Sequence, residues 1–188
     1  NYSRPIKARN VIALHEGTSR KHKGEKIVIG GHLDSWDLAT GAMDNGVGSF
    51  SVIDIARVFK SLNLKTKRSI EFVLFMGEEQ GLLGSRYMVK ELDKTGELKN
   101  VKLMMNLDMV NNTRGFNASG NDKLMERMIE IGKIIRQVDS TYANDVRSSA
   151  GLHSDHQPFM INGVPVSSPS GSFPIKAYGC YHANCDNF

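Results

Sequence analysis

From Lys26 the chain reads KIVIG, a continuous apolar run of the length a strand buried on both faces needs. An earlier stretch, Asn10–Leu14 (NVIAL), is short and β-rich, and the polar EGTSRKHKGEK that follows reads as a loop. After Gly46 the period changes. Val52, Ile55, Ala56 and Phe59 recur at i, i+3, i+4 and i+7, which lines one face of a helix. Ser69–Met76 (SIEFVLFM) returns to strand chemistry, GEEQGLLGSRYMVKEL predicts a turn feeding a helix, and Val101–Leu107 (VKLMMNL) predicts another strand. Leu124, Met128, Ile131 and Ile135 mark a further helix with a core-facing stripe, its start signalled by Asn121 and Asp122. Strands alternating with helices predict an α/β fold: a three-layer α/β/α sandwich on a mixed, mainly parallel sheet.

Length and composition narrow this picture only a little. A chain of 188 residues with 40% hydrophobic and 23% charged positions suits one globular domain. No apolar run reaches the roughly 18 residues of a membrane span, and no segment has the layout of a signal peptide. Net charge is +4, with cations gathered near the start at Arg4, Lys7, Arg9, Arg20, Lys21, Lys23 and Lys26. Few aromatic residues interleave with them, so a solvated surface is expected rather than a nucleic-acid face. His15 and His22, in the same segment, are expected to be exposed. The first residue is Asn1, not Met, which suggests a processed or trimmed product. Cys180 and Cys185 are too few for a disulfide framework; a local disulfide, free thiols and thiolate ligands beside His182 all fit their spacing.

The polar residues carry the chemistry. KIVIGG runs into His32 and Asp34, SIEFVLFMG into Glu78 and Glu79, and VKLMMNL into Asp108. In parallel α/β sheets ligands bind beyond the carboxyl ends of the strands, so three adjacent strands would gather these groups along one edge. Asp44, just before a helix, could hang over the same edge. Taken singly, each has a plain structural reading: Asp-Asn-Gly is ordinary turn chemistry, and paired glutamates suit a first helical turn. Together they would repel one another unless a cation sits among them. Imidazole with carboxylate suits zinc better than calcium, and several bridging acids suggest two metals. The glycines of GAMDNGVGS lack the order of a phosphate loop.

GGHLDSWDLATGAMDNGVGS, FMGEEQGLLGS, NLDM and YHANCDN, in this order, resemble the di-zinc exopeptidases of the aminopeptidase Y and glutamate carboxypeptidase family. The resemblance implies that His32 and Asp108 hold one ion, Glu79 and His182 the other, and that Asp44 bridges both. It makes Glu78 the general base. Asp34, counted with the catalytic group, and Asp186 match acids that orient the two ligand histidines. Asp155 matches a residue at the substrate end of the pocket. Asp37 takes a surface or turn role, and His153 and His156 are loop histidines.

A metal-dependent exopeptidase acting on peptides or dipeptides is therefore expected, with two zinc ions that manganese or cobalt could replace. Residues 1–188 would be its catalytic domain, a trimmed core of a longer protein. Secretion or export to the periplasm is implied, with a second copy of the chain as a candidate partner. Two rivals remain open: a single-zinc glutaminyl cyclase-like acyltransferase, and a non-catalytic receptor-type domain of the same fold.

Overall fold

The computed structural model describes residues 7–188, so Arg4 lies outside it. Its strands are β1 (Val11–His15), β2 (Lys26–His32), β3 (Ser69–Phe75), β4 (Val101–Asn106), β5 (Gly115–Asn117) and β6 (Val166–Ser170). The helices are α1 (Val47–Ser61), α2 (Leu83–Lys94), α3 (Asp122–Val138), α4 (His156–Ile161) and α5 (Ile175–Tyr178). The strands form one six-stranded sheet in the order β1-β3-β2-β4-β6-β5. β2 pairs in parallel with β3 and with β4, and β4 with β6, while β1 and β5 add antiparallel edges. The mixed, mainly parallel sheet is as the sequence predicts.

Helices cover both faces because the strand residues alternate between two cores. Val28, Val73, Phe75, Met104 and Val166 pack against Met88 and Val89 of α2 and Phe159 of α4. Their neighbours Ile29, Ile70 and Phe72 point the other way, onto Val52 of α1. Full burial of each such side chain stabilises the fold by roughly 1.5–3 kcal/mol. The chain also needs close contact between layers. A Cβ on Gly48, in the first turn of α1, would collide with the Asn45 side chain and the Leu107 carbonyl.

Several expectations change. β5, β6, α4 and α5 have no clear periodic signal; β6 reads VSSPS, without the apolar pattern of a strand, and its neighbours supply the pairing. Ile131 is 48% exposed, because α3 turns Met128 and Gly132 inward instead. β1 forms as an edge strand with Val11, Ile12 and Leu14 exposed. His15 and His22 are half-buried rather than exposed: His15 sets its ring edge-on to Phe59, and His22 Nδ1 lies 2.9 Å from a Glu25 carboxylate oxygen. Lys26, from the basic segment, donates to Glu71 at 2.8 Å. Among the described residues, no helix is long and apolar enough to cross a membrane.

Candidate metal centre

Strand register assembles the first half of the site. Gly30 of β2 lies beside Asn106 of β4, and His32 beside Phe75 of β3. Continuing the β2–β4 register by two residues sets His32 level with Asp108. Continuing β2–β3 by two sets Asp34 level with Gly77, at the turn that carries Glu78 and Glu79. Three strand ends thus deliver their polar residues to one edge of the sheet.

His32 is 1% exposed, and its Nε2 lies 3.1 Å from Asp44 Oδ1 and 3.5 Å from Asp108 Oδ1. On the other side, His182 Nε2 lies 3.2 Å from Asp44 Oδ2 and 3.4 Å from Glu79 Oε2. The two oxygens of Asp44 therefore face two different histidine–acid pairs. His32 Nε2, Asp108 Oδ1 and Glu79 Oε1 are buried and lack hydrogen-bond partners, despite the short distances between neighbours. Buried polar atoms are rarely left this way. Donor atoms of His32, Asp44 and Glu79 lie within 4.8 Å of one another. Nitrogen and carboxylate donors that converge without satisfying each other fit divalent cations of the zinc type.

The electrostatics agree. With only protein charges around it, burial pushes the Glu78 carboxyl up to about 8, helped by the neighbouring acids Asp108, Asp155 and Glu79. Burial and Asp44 likewise carry Glu79 up to about 7. Burial works against charge on His32, yet the Asp108 and Asp44 carboxylates prevail and raise it to about 12. Asp108 shows the reverse balance: burial would raise it, but the adjacent His32 imidazole and the Ser154 hydroxyl hold it below the ordinary carboxylate range. Such a cluster is short of positive charge, which is the condition a cation relieves.

The supporting residues differ from expectation. Asp34 lies 3.8 Å from His32 Nδ1 through its carboxylate, but its backbone carbonyl is nearer, at 2.9 Å, and fixes the ring. The Asp34 carboxylate instead accepts the N–H groups of Gly77, Glu78 and Glu79, at 2.9, 3.1 and 3.1 Å. It shapes the turn that sends two neighbouring glutamates in different directions. Asp186 was expected to orient His182; its carboxylate accepts the Met43 and Asp44 N–H groups, at 2.6 and 2.9 Å, and so holds the bridging acid's backbone. Asp155 is 0% exposed, with neither carboxylate oxygen hydrogen-bonded, and burial raises it to about 7. A residue so enclosed is not part of the cleft lining, where it was expected to meet substrate.

His182 is held by other means. Tyr181 stacks on its ring at 3.8 Å and Trp36 leans on it at 4.7 Å, while its backbone adopts a left-handed φ of +53°. The Cys180–Cys185 disulfide closes the loop around it, which excludes the free-thiol and thiolate-ligand readings. Asp37 lies exposed in a turn. Three supporting residues were missed. Asn45 donates to the Leu107 carbonyl and accepts from the Gly48 and Met109 N–H groups. Ser154 donates to Asp108 at 2.6 Å and itself accepts from Asn106. Asn45 stood next to Asp44 and read as turn chemistry; nothing local marks Ser154 or Asn106.

Fold and cluster together define the class: an α/β domain with an imidazole- and carboxylate-rich centre at the carboxyl ends of parallel strands. The chain belongs to Peptidase family M28, whose model matches residues 10–188. Among curated relatives, carboxypeptidase Q from Bos taurus is 32% identical over 94% of this chain and 36% of its own length. A peptidase M28 precursor from Shewanella amazonensis superposes with a TM-score of 0.79 at 28% identity, covering 95% of this chain and 39% of that one. A zinc aminopeptidase from Bacillus subtilis gives 0.74 at 27%, covering 94% and 44%. An Acidobacteriales glutaminyl cyclase gives 0.69 at 22%, over 94% and 64%, a likeness of fold alone. The chain spans about a third of the length of the curated relatives it matches.

Proposed function

We propose that these residues form the catalytic core of a metal-dependent exopeptidase that hydrolyses a terminal bond of peptides or dipeptides. The observation that carries this reading is the division of Asp44 between two histidine–acid pairs. Two zinc ions are its natural occupants: His32 and Asp108 would hold one, Glu79 and His182 the other, and Asp44 both. The zinc aminopeptidase of similar fold supports the choice of metal. Bound there, the ions would supply Lewis-acid chemistry, acidifying water and polarising the scissile carbonyl. Their four positive charges would meet three ligand carboxylates, so the site would keep a small positive excess.

The chain's own residues do the rest. Glu78 lines the cleft beside the cluster, where its carboxylate takes the proton of the attacking water and passes it to the departing amine. Asp34 holds the Glu78 and Glu79 N–H groups, so that one carboxylate serves as ligand and its neighbour as base. Asp186 holds Asp44 in its bridging pose. A disulfide in the ligand loop supports a secreted or periplasmic setting.

Elemental analysis should find two zinc ions per chain, and a chelator should abolish turnover of unblocked dipeptides. A single ion would favour the glutaminyl cyclase reading, against which the intact His32–Asp108 pair argues; no divalent metal at all would favour a receptor-type domain. In the Glu78→Gln protein both ions should remain while kcat falls by about 10²–10⁴-fold. Normal turnover in that variant, metal in place, would remove the mechanism.

A further inference from the structure

The cleft over the metal centre has a volume of about 770 Å³ and is lined by Glu78, Glu79 and Asp108 at its acidic end. It also carries two guanidinium groups. Arg86 rises from α2, next to the glutamate turn, whereas Arg147 stands at the opposite end, beyond β5. Among the described residues the Lys and Arg ion pairs involve Lys26, Arg57, Arg68, Lys94, Lys102 and Lys133, and neither Arg86 nor Arg147. A surface arginine without a partner is usually only solvated. Arg147 is different because its backbone is built into the sheet edge.

Its N–H donates to the Phe116 carbonyl at 2.9 Å, and its own carbonyl accepts the Ala118 N–H at 2.8 Å. Two residues on, Ser149 is gripped from both sides by the Asn117 side chain, at 2.9 Å each way. The same strip then reaches Ser154, the donor to Asp108. Hydrogen bonds to β5 thus fix the root of Arg147, and five residues of chain beyond Ser149 lead to a residue of the metal centre.

Distance fits a purpose. Arg147 continues the sheet by one bridge past β5, three strand positions from β4, which ends at the metal centre. Three spacings make roughly 14 Å, of which an inward-reaching arginine covers near half. The remaining gap is one to two extended residues at about 3.5 Å each. A guanidinium presents a planar fork matched to a carboxylate. We propose that Arg147 binds the free C-terminal carboxylate of the substrate. The preferred substrate is then a dipeptide, or a peptide losing its last residue, in preference to the amino end of a long chain. This assignment rests on the exopeptidase reading above.

The test compares a dipeptide with its C-terminal amide in the intact, metal-loaded protein. The wild type should favour the free acid by about 10- to 100-fold in kcat/KM, mainly through KM. Arg147→Ala and the bulkier Arg147→Gln should erase that preference, bringing the free acid level with the amide, with metal content unchanged; Arg147→Lys should restore part of it. The proposal is overturned if the wild type treats acid and amide alike, if the preference survives in both neutral variants, or if Arg86→Ala erases it instead. A second readout separates the two readings: equilibrium binding of a reduced-bond dipeptide and its amide. Carboxylate-dependent binding lost with Arg147 but without any hydrolysis would sustain the recognition and end the exopeptidase reading. Hydrolysis without carboxylate-dependent binding would do the opposite.

Discussion

The two histidines of the centre are held in opposite ways. His32 ends β2, is 1% exposed, and takes its position from a strand paired with β3 and β4, itself level with Phe75 of β3, plus one ring contact to the Asp34 carbonyl. His182 sits in a loop, its side chain 32% exposed, and takes its position from two aromatic rings and a disulfide. A ligand on the sheet is positioned by the same hydrogen bonds that make the fold. A ligand on a loop needs its own fastening, and losing that fastening leaves the fold intact. Asp44 lies between them with a foot on each side.

The largest expected effect comes from removing each histidine in turn. His32→Ala leaves Asp44 and Asp108 buried together without their cationic neighbour, so metal should be lost and the chelated protein should melt earlier. His182→Ala should also lower metal content, yet leave the melting temperature of the chelated protein near wild type. Equal thermal losses from both variants would erase the contrast.

Next comes pH. Glu78, Glu79 and Asp155 are raised to about 8, 7 and 7, so the folded chain holds protons that the unfolded chain releases above its ordinary carboxylate range. Each therefore costs stability as pH climbs from about 4 to 8. The raised His32 has the same sign: its contribution is complete below about 6.5 and is lost as pH passes through about 12. Cations compete with these protons, so the gap in melting temperature between metal-loaded and chelated protein should widen from pH 5 to pH 8. Calorimetry at a series of pH values would show it, and a constant gap would contradict the assigned cluster.

Smaller effects sharpen the comparison. Asp34→Ala strips the acceptor from three N–H groups at the glutamate turn and should cost about 3 kcal/mol in denaturant unfolding. Replacing Cys180 and Cys185 by serine opens only a short loop and should cost about 2 kcal/mol. Its effect on metal should be confined to the His182 side, seen as one ion exchanging with chelator faster than the other.

The hydrophobic pattern determined much of this by itself. Continuous apolar runs named β2, β3 and β4, the 3.6-residue period named α1, and the polar residues just past each run named His32, Asp34, Glu78, Glu79 and Asp108. These are local signals, since strand burial and the end of a strand are both written within a few residues. The tasks of Asp34 and Asp186 were not written there, because a carboxylate's partners depend on which N–H groups the folded chain turns toward it. Nor were Ser154, Asn45 and the aromatic clasp on His182, which lie far from their partners in sequence or resemble ordinary turn residues. Strand β6 and the exposure of Ile131 were settled by what each packs against. Local chemistry chose the strand-end residues of the centre; the register of one strand beside another, and the loops that bring in Asp44 and His182, decided which atoms meet.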